Sequence, residues 1–186
     1  MKAPLRIALL STLLVAAVPS STASAGGTTC AGASAAPTVR TLAKARAATM
    51  CLINRERRKH GLSALRTNRT LQASSTLYAH EMVKQGFFAH VSPAGETLTE
   101  RIKEDTRYLA RARGWEIGEN LAWGTGSKAT PAQIVAGWMN SPDHRANILH
   151  ASYREMGLGI AIGTPVPGAS AAAGGATYTN QFGRRG

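Results

Sequence analysis

The chain has 186 residues and a formal net charge of +12, from 22 Lys and Arg against 10 Asp and Glu. That length gives one domain with a real core and too little chain for two comfortable ones. With two cysteines only, a zinc-finger site cannot close, and no C-x-x-C pair offers dithiol redox chemistry. The charge favours polyanions, and outside a cell these are acidic wall polymer or anionic lipid rather than nucleic acid. The basic residues are scattered (Arg55, Arg57, Arg58, Lys59, Arg66, Arg69, Arg107, Arg111, Arg113), which reads as a solvated surface.

Residues 1–25 have the form of an export signal. Lys2 and Arg6 precede an apolar run from Ile7 to Val18, and Ala23-Ser24-Ala25 supplies a small-x-small cleavage pattern. The run is too short for a transmembrane helix, which needs about 20 residues, and no later stretch is apolar enough to span a bilayer. The expectation is a secreted protein, extracellular or envelope-associated, with no transmembrane segment after signal removal. A Gly/Thr/Ser/Ala lead-in follows over residues 26–37, and the domain proper over 38–186. An even cysteine count in an exported chain predicts one disulfide, Cys30–Cys51, stapling the lead-in to the first long helix.

Spacing at three and four through Val39, Leu42, Thr49, Leu52, Ile53 and Glu56 predicts a helix from Thr38 to His60, stopped by Gly61. Leu62 and Leu65 dip back into the core. A second helix starts at Asn68 or Thr70 and ends at Gly86, with Leu71, Ser75, Tyr78, Ala79 and Met82 inward. Phe87-Phe88-Ala89-His90 follows, an apolar knot closing on a histidine. Thr97 with Glu100 forms a capping box for a third helix, whose apolar stripe is Leu98, Ile102 and Leu109. Trp115 to Ala122 reads as a strand leading to a turn at Gly124-Thr125-Gly126. Thr130-Pro131 opens a fourth helix with Ile134, Val135 and Trp138 inward, ending before Ser141-Pro142. Met156 to Ile162 and Ala176 to Phe182 read as two strands. Helices outnumber strands and the strands follow hairpin logic. The predicted class is α+β, with an antiparallel sheet between helices.

Polar groups in apolar or glycine-rich settings mark the candidate chemistry: His90, Glu119 in Gly118-Glu119-Asn120-Leu121, His144 in Ser141-Pro142-Asp143-His144-Arg145, and Gln181 before Phe182. Two histidines and a carboxylate suit a divalent metal or acid/base work. Each could equally be a satisfied polar residue under a loop. His80-Glu81 lacks the second histidine of H-E-x-x-H, since Lys84 stands there. No G-x-S-x-G elbow and no phosphate-cradling glycine loop occurs. Gly157-Leu158-Gly159 reads as close packing within a strand.

Taken in order, Asn54-x-x-Arg57-x-x-x-Gly61-Leu62-x-x-Leu65, Phe87-Phe88-Ala89-His90, Gly118-Glu119-Asn120-Leu121, Trp138-Met139-x-Ser141-Pro142-x-His144-Arg145-x-Asn147-Ile148-Leu149, Gly157-Leu158-Gly159 and Gln181-Phe182-Gly183 resemble the CAP superfamily. That superfamily holds cysteine-rich secretory proteins, antigen five and plant pathogenesis-related proteins, and this chain is similar to its short bacterial branch. The resemblance runs from about Val39 to Gly183. It implies a three-layer α-β-α sandwich with a small, mainly antiparallel central sheet, and a cleft lined by two histidines and two acids. By motif, His90 and His144 are the cleft histidines and Glu119 is one acid. Where the family's second acid follows the helix tryptophan, this chain offers Ser141, with Asp143 nearby but not aligned. Asn120 and Gln181 complete the implied cleft.

Some relatives hold zinc or another divalent cation through the histidines, which makes His90 and His144 the candidate metal ligands. Others bind sterols or further lipids. The expected function is therefore an extracellular or envelope binding module for anionic cell-wall polymer or a lipid-like small molecule. The alternative is a peptidase-like hydrolase in which Glu119, His90 and His144 activate water, alone or on zinc. A third possibility is a purely structural cluster that braces loops.

Overall fold

The computed structural model describes residues 29–186 apart from 167 and 170–173. The expected signal peptide and the start of the lead-in lie outside the described residues. Cys30 and Cys51 are joined as a disulfide.

The first long helix, α1, runs Leu42–Lys59. The predicted start at Thr38 is instead a short 3-10 turn over Val39–Thr41. The Thr38 amide donates to Thr41 Oγ1 at 2.8 Å, which tightens this turn and leaves Val39 75% exposed. Ala45, Ala48, Thr49, Leu52, Ile53 and Arg57 form the buried face of α1.

Arg57 corrects its place among the scattered surface bases, because it is fully buried. Its guanidinium donates to the carbonyls of Ser63 (2.8 Å), Ile148 (2.7 Å) and His150 (3.0 Å). A planar fork with five donors can collect backbone acceptors that a core would otherwise leave unpaired. Asn54 does similar work beside it. Its side chain donates to Leu65 O and accepts from Leu65 N–H, which turns Leu65 into the core.

Strand β1 (Arg66–Thr67) leads directly into α2 (Arg69–Gln85). Asn68 Oδ1 caps α2 by accepting from the amides of Thr70 and Leu71, and Gly86 closes it at φ 70°, where a Cβ would be strained. Helix α3 (Leu98–Asp105) carries the predicted Thr97–Glu100 capping box. The remaining elements are β2 (Trp115–Thr125), α4 (Pro131–Asn140), α5 (Pro142–Ile148), β3 (Glu155–Ile162) and β4 (Gly175–Arg185). Neither α5 nor β1 was expected from the sequence.

The four strands lie in the order β1-β3-β4-β2, with β1 parallel to β3 and the other pairs antiparallel. Helices α2 and α3 cover one face; α1, α4 and α5 cover the other. Against α1 and α4 sit Met156, Leu158, Ile160, Tyr178 and Phe182, packed on Leu52, Ile53, Ile134 and Trp138. Full burial of such side chains contributes about 1.5–3 kcal/mol each. Alternate residues face α2, among them Gly157 and Gly159. A Cβ on Gly157 would lie 2.1 Å from the Leu71–Gln72 backbone, and one on Gly159 2.1 Å from Ser75 O. The two glycines let a helix backbone rest directly on the sheet. The result is a three-layer α-β-α sandwich. Among the described residues, no helix is long and apolar enough to cross a membrane.

Candidate functional site

Strand β2 is an outer strand of the sheet, and the candidate site straddles its middle. Pairing of Glu119 with Gln181 and of Asn120 with Asn180 sets Glu119 towards α2 and Asn120 towards α4 and α5. His90 arrives from the α2 side, on the loop that follows Gly86. Two anchors hold that loop. The Tyr78 hydroxyl donates to Ala89 O at 2.7 Å, and burial pushes that phenol up to about 12, so it keeps its proton. Arg101 Nη1 donates to His90 O at 3.0 Å and to Glu96 O at 2.9 Å.

Glu119 is buried and fully engaged. Arg101 Nη2 donates to both its oxygens at 3.0 Å, His90 Nδ1 lies 3.0 Å from Oε1, and Gln181 Nε2 reaches Oε2 at 3.4 Å. A carboxylate offers about four lone-pair sites, and these contacts occupy them. Because this carboxylate accepts only, His90 donates to it from Nδ1 and turns its Nε2 edge away from Glu119. Arg101 also stacks on Tyr78, its Cζ 3.4 Å from the ring centroid. Arg101 was not anticipated from the sequence. The available signal was its position three residues after Leu98 and next to Ile102, which puts a charge on the inward stripe of α3.

His144 comes from the opposite side, on α5. Asn120 Nδ2 donates to His144 O at 2.9 Å, and Asn147 Nδ2 donates to Asn120 Oδ1 at 2.9 Å and to Glu119 O at 3.2 Å. These bonds dock α5 on β2. Burial first, and then the proximity of His90, lower the proton affinity of the half-buried His144 ring; the Asp143 charge opposes them. Near neutral pH the ring is therefore uncharged.

His144 and Ser141 lie at one end of a groove of about 440 Å³ between β2 and α4, walled by Trp123, Ile134 and Trp138, with Lys128 and Gln133 at its polar margin. Trp138 Nε1 donates to Leu121 O at 3.0 Å, which fixes that wall to the strand. Asp143 is exposed and reaches His144 only through its charge. Ser141 and His144 line this groove, whereas His90 sits on the buried Glu119 and is near enough for its charge to act on His144. Asn120 and Gln181, expected to line it, are fully buried beneath and act as supports. Phe88 and Val91 stand 42% and 48% exposed on either side of His90 in the sequence.

The donor set does not fit a resident zinc. Zinc sites take three or four protein ligands. Here two imidazoles are available, Glu119 is saturated by Arg101, and Ser141 stands where the second acid belongs. Among the described residues, no group of three or more His, Cys, Asp or Glu is placed to hold a metal ion.

An α-β-α sandwich with a buried glutamate on its outer strand, approached by one histidine from each helical layer, defines a recognisable class. The model of the cysteine-rich secretory protein family, CAP, matches residues 50–168, and the chain belongs to that family. It is 34% identical over 108 residues to YkwD of Bacillus subtilis (strain 168), and 29% identical over 109 residues to the membrane protein YlbC of the same organism. These matches cover 58% and 59% of this chain but 39% and 29% of the two relatives, so the chain spans well under half of either.

Among solved structures, it resembles an outer surface protein from Borrelia burgdorferi, with TM-score 0.58 and 21% identity over 74% of this chain and 90% of that one. It also resembles an extracellular protein containing a SCP domain from Bacillus anthracis, with TM-score 0.56 and 22% identity over 75% and 42%. At these identities the likeness concerns the fold.

Proposed function

We propose that this chain is exported and works outside the cell, or at its envelope, as a binding module. Its cleft across β2 takes a lipid-like molecule with an apolar body and a polar head. Export is supported by the form of residues 1–25 and by relatives described as outer-surface and extracellular proteins. The apolar walls at Trp123, Ile134 and Trp138 suit the body, and the uncharged His144 ring with Ser141 and Lys128 suits the head. Exposed Phe88 and Val91 extend the apolar rim.

The observation that carries this reading is the saturation of Glu119 by Arg101, His90 and Gln181. A general base needs a free lone pair within reach of the proton it takes, and Glu119 has none to give. The hydrolase alternative rests instead on His144, whose neutral ring is a competent base.

The test is a titration with a fluorescent single-chain fatty acid, run beside turnover assays on peptides and wall fragments. The expected result is saturable binding that weakens about tenfold in His144→Ala, the loss of roughly one good polar contact, without turnover. Cleavage by the unaltered chain that disappears in His90→Ala or His144→Ala would overturn the binding reading.

A further inference from the structure

We propose a second ligand site, at the far end of β2 from the cleft, that binds an anionic glycan through Trp115, Lys103 and Arg107. Trp115 opens β2, four residues before Glu119 and so about 13 Å from it along the strand. Its indole is 43% exposed, an unusual place for so large a ring. It lines a concavity of about 290 Å³ together with Lys103, Thr106, Arg107, Leu109 and Ala110. Among the described side chains, the charged ones lining this concavity are the cations Lys103 and Arg107.

The loop that carries this wall is held in place from several sides. Buried Tyr108 donates through its hydroxyl to Glu155 at 2.9 Å, and the Tyr108 amide donates to Thr106 Oγ1 at 3.0 Å. The Arg113 amide donates to Gly186 O at 3.0 Å, and the Gly186 amide to Gly114 O at 2.9 Å, tying the loop to the end of β4. Among the described side chains, Lys103, Arg107, Arg111 and Arg113 have no carboxylate within 4.0 Å. Glu100, the acid whose charge Lys103 feels, is committed to the cap of α3. Arg185, opposite Trp115 across the strands, is stacked on Tyr108 and lies near Glu155, so it belongs to the scaffold.

A flat indole in a cationic hollow matches a sugar ring bearing carboxylate or phosphate groups. The C–H face of the ring stacks on the indole, and the acids pair with Lys103 and Arg107. A bilayer is a poorer match. Surface insertion needs an apolar face of several side chains, whereas Trp115 is the only large exposed hydrophobic residue in this loop and strand end among the described residues. Of the basic residues that look scattered in the sequence, Arg107 stands here with Lys103 beside one ring.

The probe is an oligogalacturonate, with an uncharged dextran oligosaccharide as control, followed by tryptophan fluorescence and calorimetry on the full chain. Binding to the acidic oligomer but not to dextran is expected, weakening as salt rises. Lys103→Glu with Arg107→Glu weakens it about tenfold or more, the scale of one lost charge-assisted contact. Trp115→Ala weakens it several-fold at unchanged net charge, with the near-ultraviolet dichroism of the remaining tryptophans checking the fold. A charge-matched pair on the α1 side of the sheet, opposite the pocket, Arg40→Glu with Arg58→Glu, leaves affinity within about twofold. His144→Ala leaves it unaltered, which separates this site from the cleft. The proposal is overturned if the distant pair costs as much as the pocket pair, if Trp115→Ala is without effect, or if only anionic phospholipid vesicles bind.

Discussion

The two faces of the sheet are packed differently, although one strand supplies both. On β4, Tyr178 and Phe182 point to α1 and α4 and meet Leu52, Ile134 and Trp138. One residue along, Thr177, Thr179 and Gln181 point to the α2 side, beside Gly157 and Gly159 of β3 and beneath Ser74 and Ser75 of α2. The first face is held by side-chain volume. The second combines close backbone approach at Gly157 and Gly159 with two smaller apolar clusters, around Leu71 and around Tyr78, and with buried polar side chains, and Glu119 grows from it. A site that must fix a charged carboxylate is rooted in the polar layer, while the groove that would take an apolar ligand opens toward α4.

Neighbouring substitutions on β3 put the largest strain on that contrast. Leu158→Ala deletes packing on the α1 side and should cost about 2–5 kcal/mol. Gly157→Ala adds one methyl group on the α2 side, 2.1 Å from backbone that cannot step aside, and should cost more than about 4 kcal/mol or prevent folding. Denaturant melts of the two variants decide the matter. A Gly157→Ala chain nearly as stable as the parent would mean that α2 does not rest on the sheet as described.

Next in size is the buried ion pair. Arg101→Met strands the Glu119 carboxylate in the interior, an effect of about 3–5 kcal/mol. Adding Glu119→Gln removes the orphaned charge and should restore part of the loss, so a double-mutant cycle measures the coupling directly. Additive losses would show that Arg101 does not sustain Glu119. The disulfide comes third. Cys30→Ser with Cys51→Ser opens a loop with a sequence separation of 21. The expected loss is about 3 kcal/mol from chain entropy, read as a lower midpoint in urea.

Local signals carried much of the fold into view. Asn68 and Gly86 bracket α2, Thr97 and Glu100 open α3, and Thr130-Pro131 opens α4, because each cap satisfies backbone groups within its own turn. Helix α5 escaped notice for the complementary reason. Ser141-Pro142 reads as an ending, and a seven-residue helix with one buried side chain, Ile148, shows no period. Strand β1 is two exposed residues and shows none either. Arg57 and Arg101 look like surface charge because their partners lie far along the chain: carbonyls after residue 147 for the first, Glu119 for the second. His90, Glu119 and His144 stand out one by one as polar groups in apolar or glycine-rich settings, and the family pattern alone assigned them to a common cleft. What makes Glu119 a structural acceptor depends on Arg101, and no spacing rule connects the two.

The smallest expected effect concerns His144, where the two layers meet. Burial and the nearby His90 lower its proton affinity in the folded state, against a weaker opposing pull from Asp143. The unfolded chain, with an ordinary imidazole near 6.5, then binds the proton more readily. Stability from this group is fully present above that value and is lost as pH falls through it, levelling off once the folded ring is also protonated. Melting temperature should therefore drop between pH 7.5 and 5.5. His144→Gln should flatten the drop. An NMR titration places the His144 midpoint below that of a free imidazole. A midpoint above it would mean that Asp143 outweighs burial, and the groove would then present a cation, rather than a neutral ring, to whatever enters.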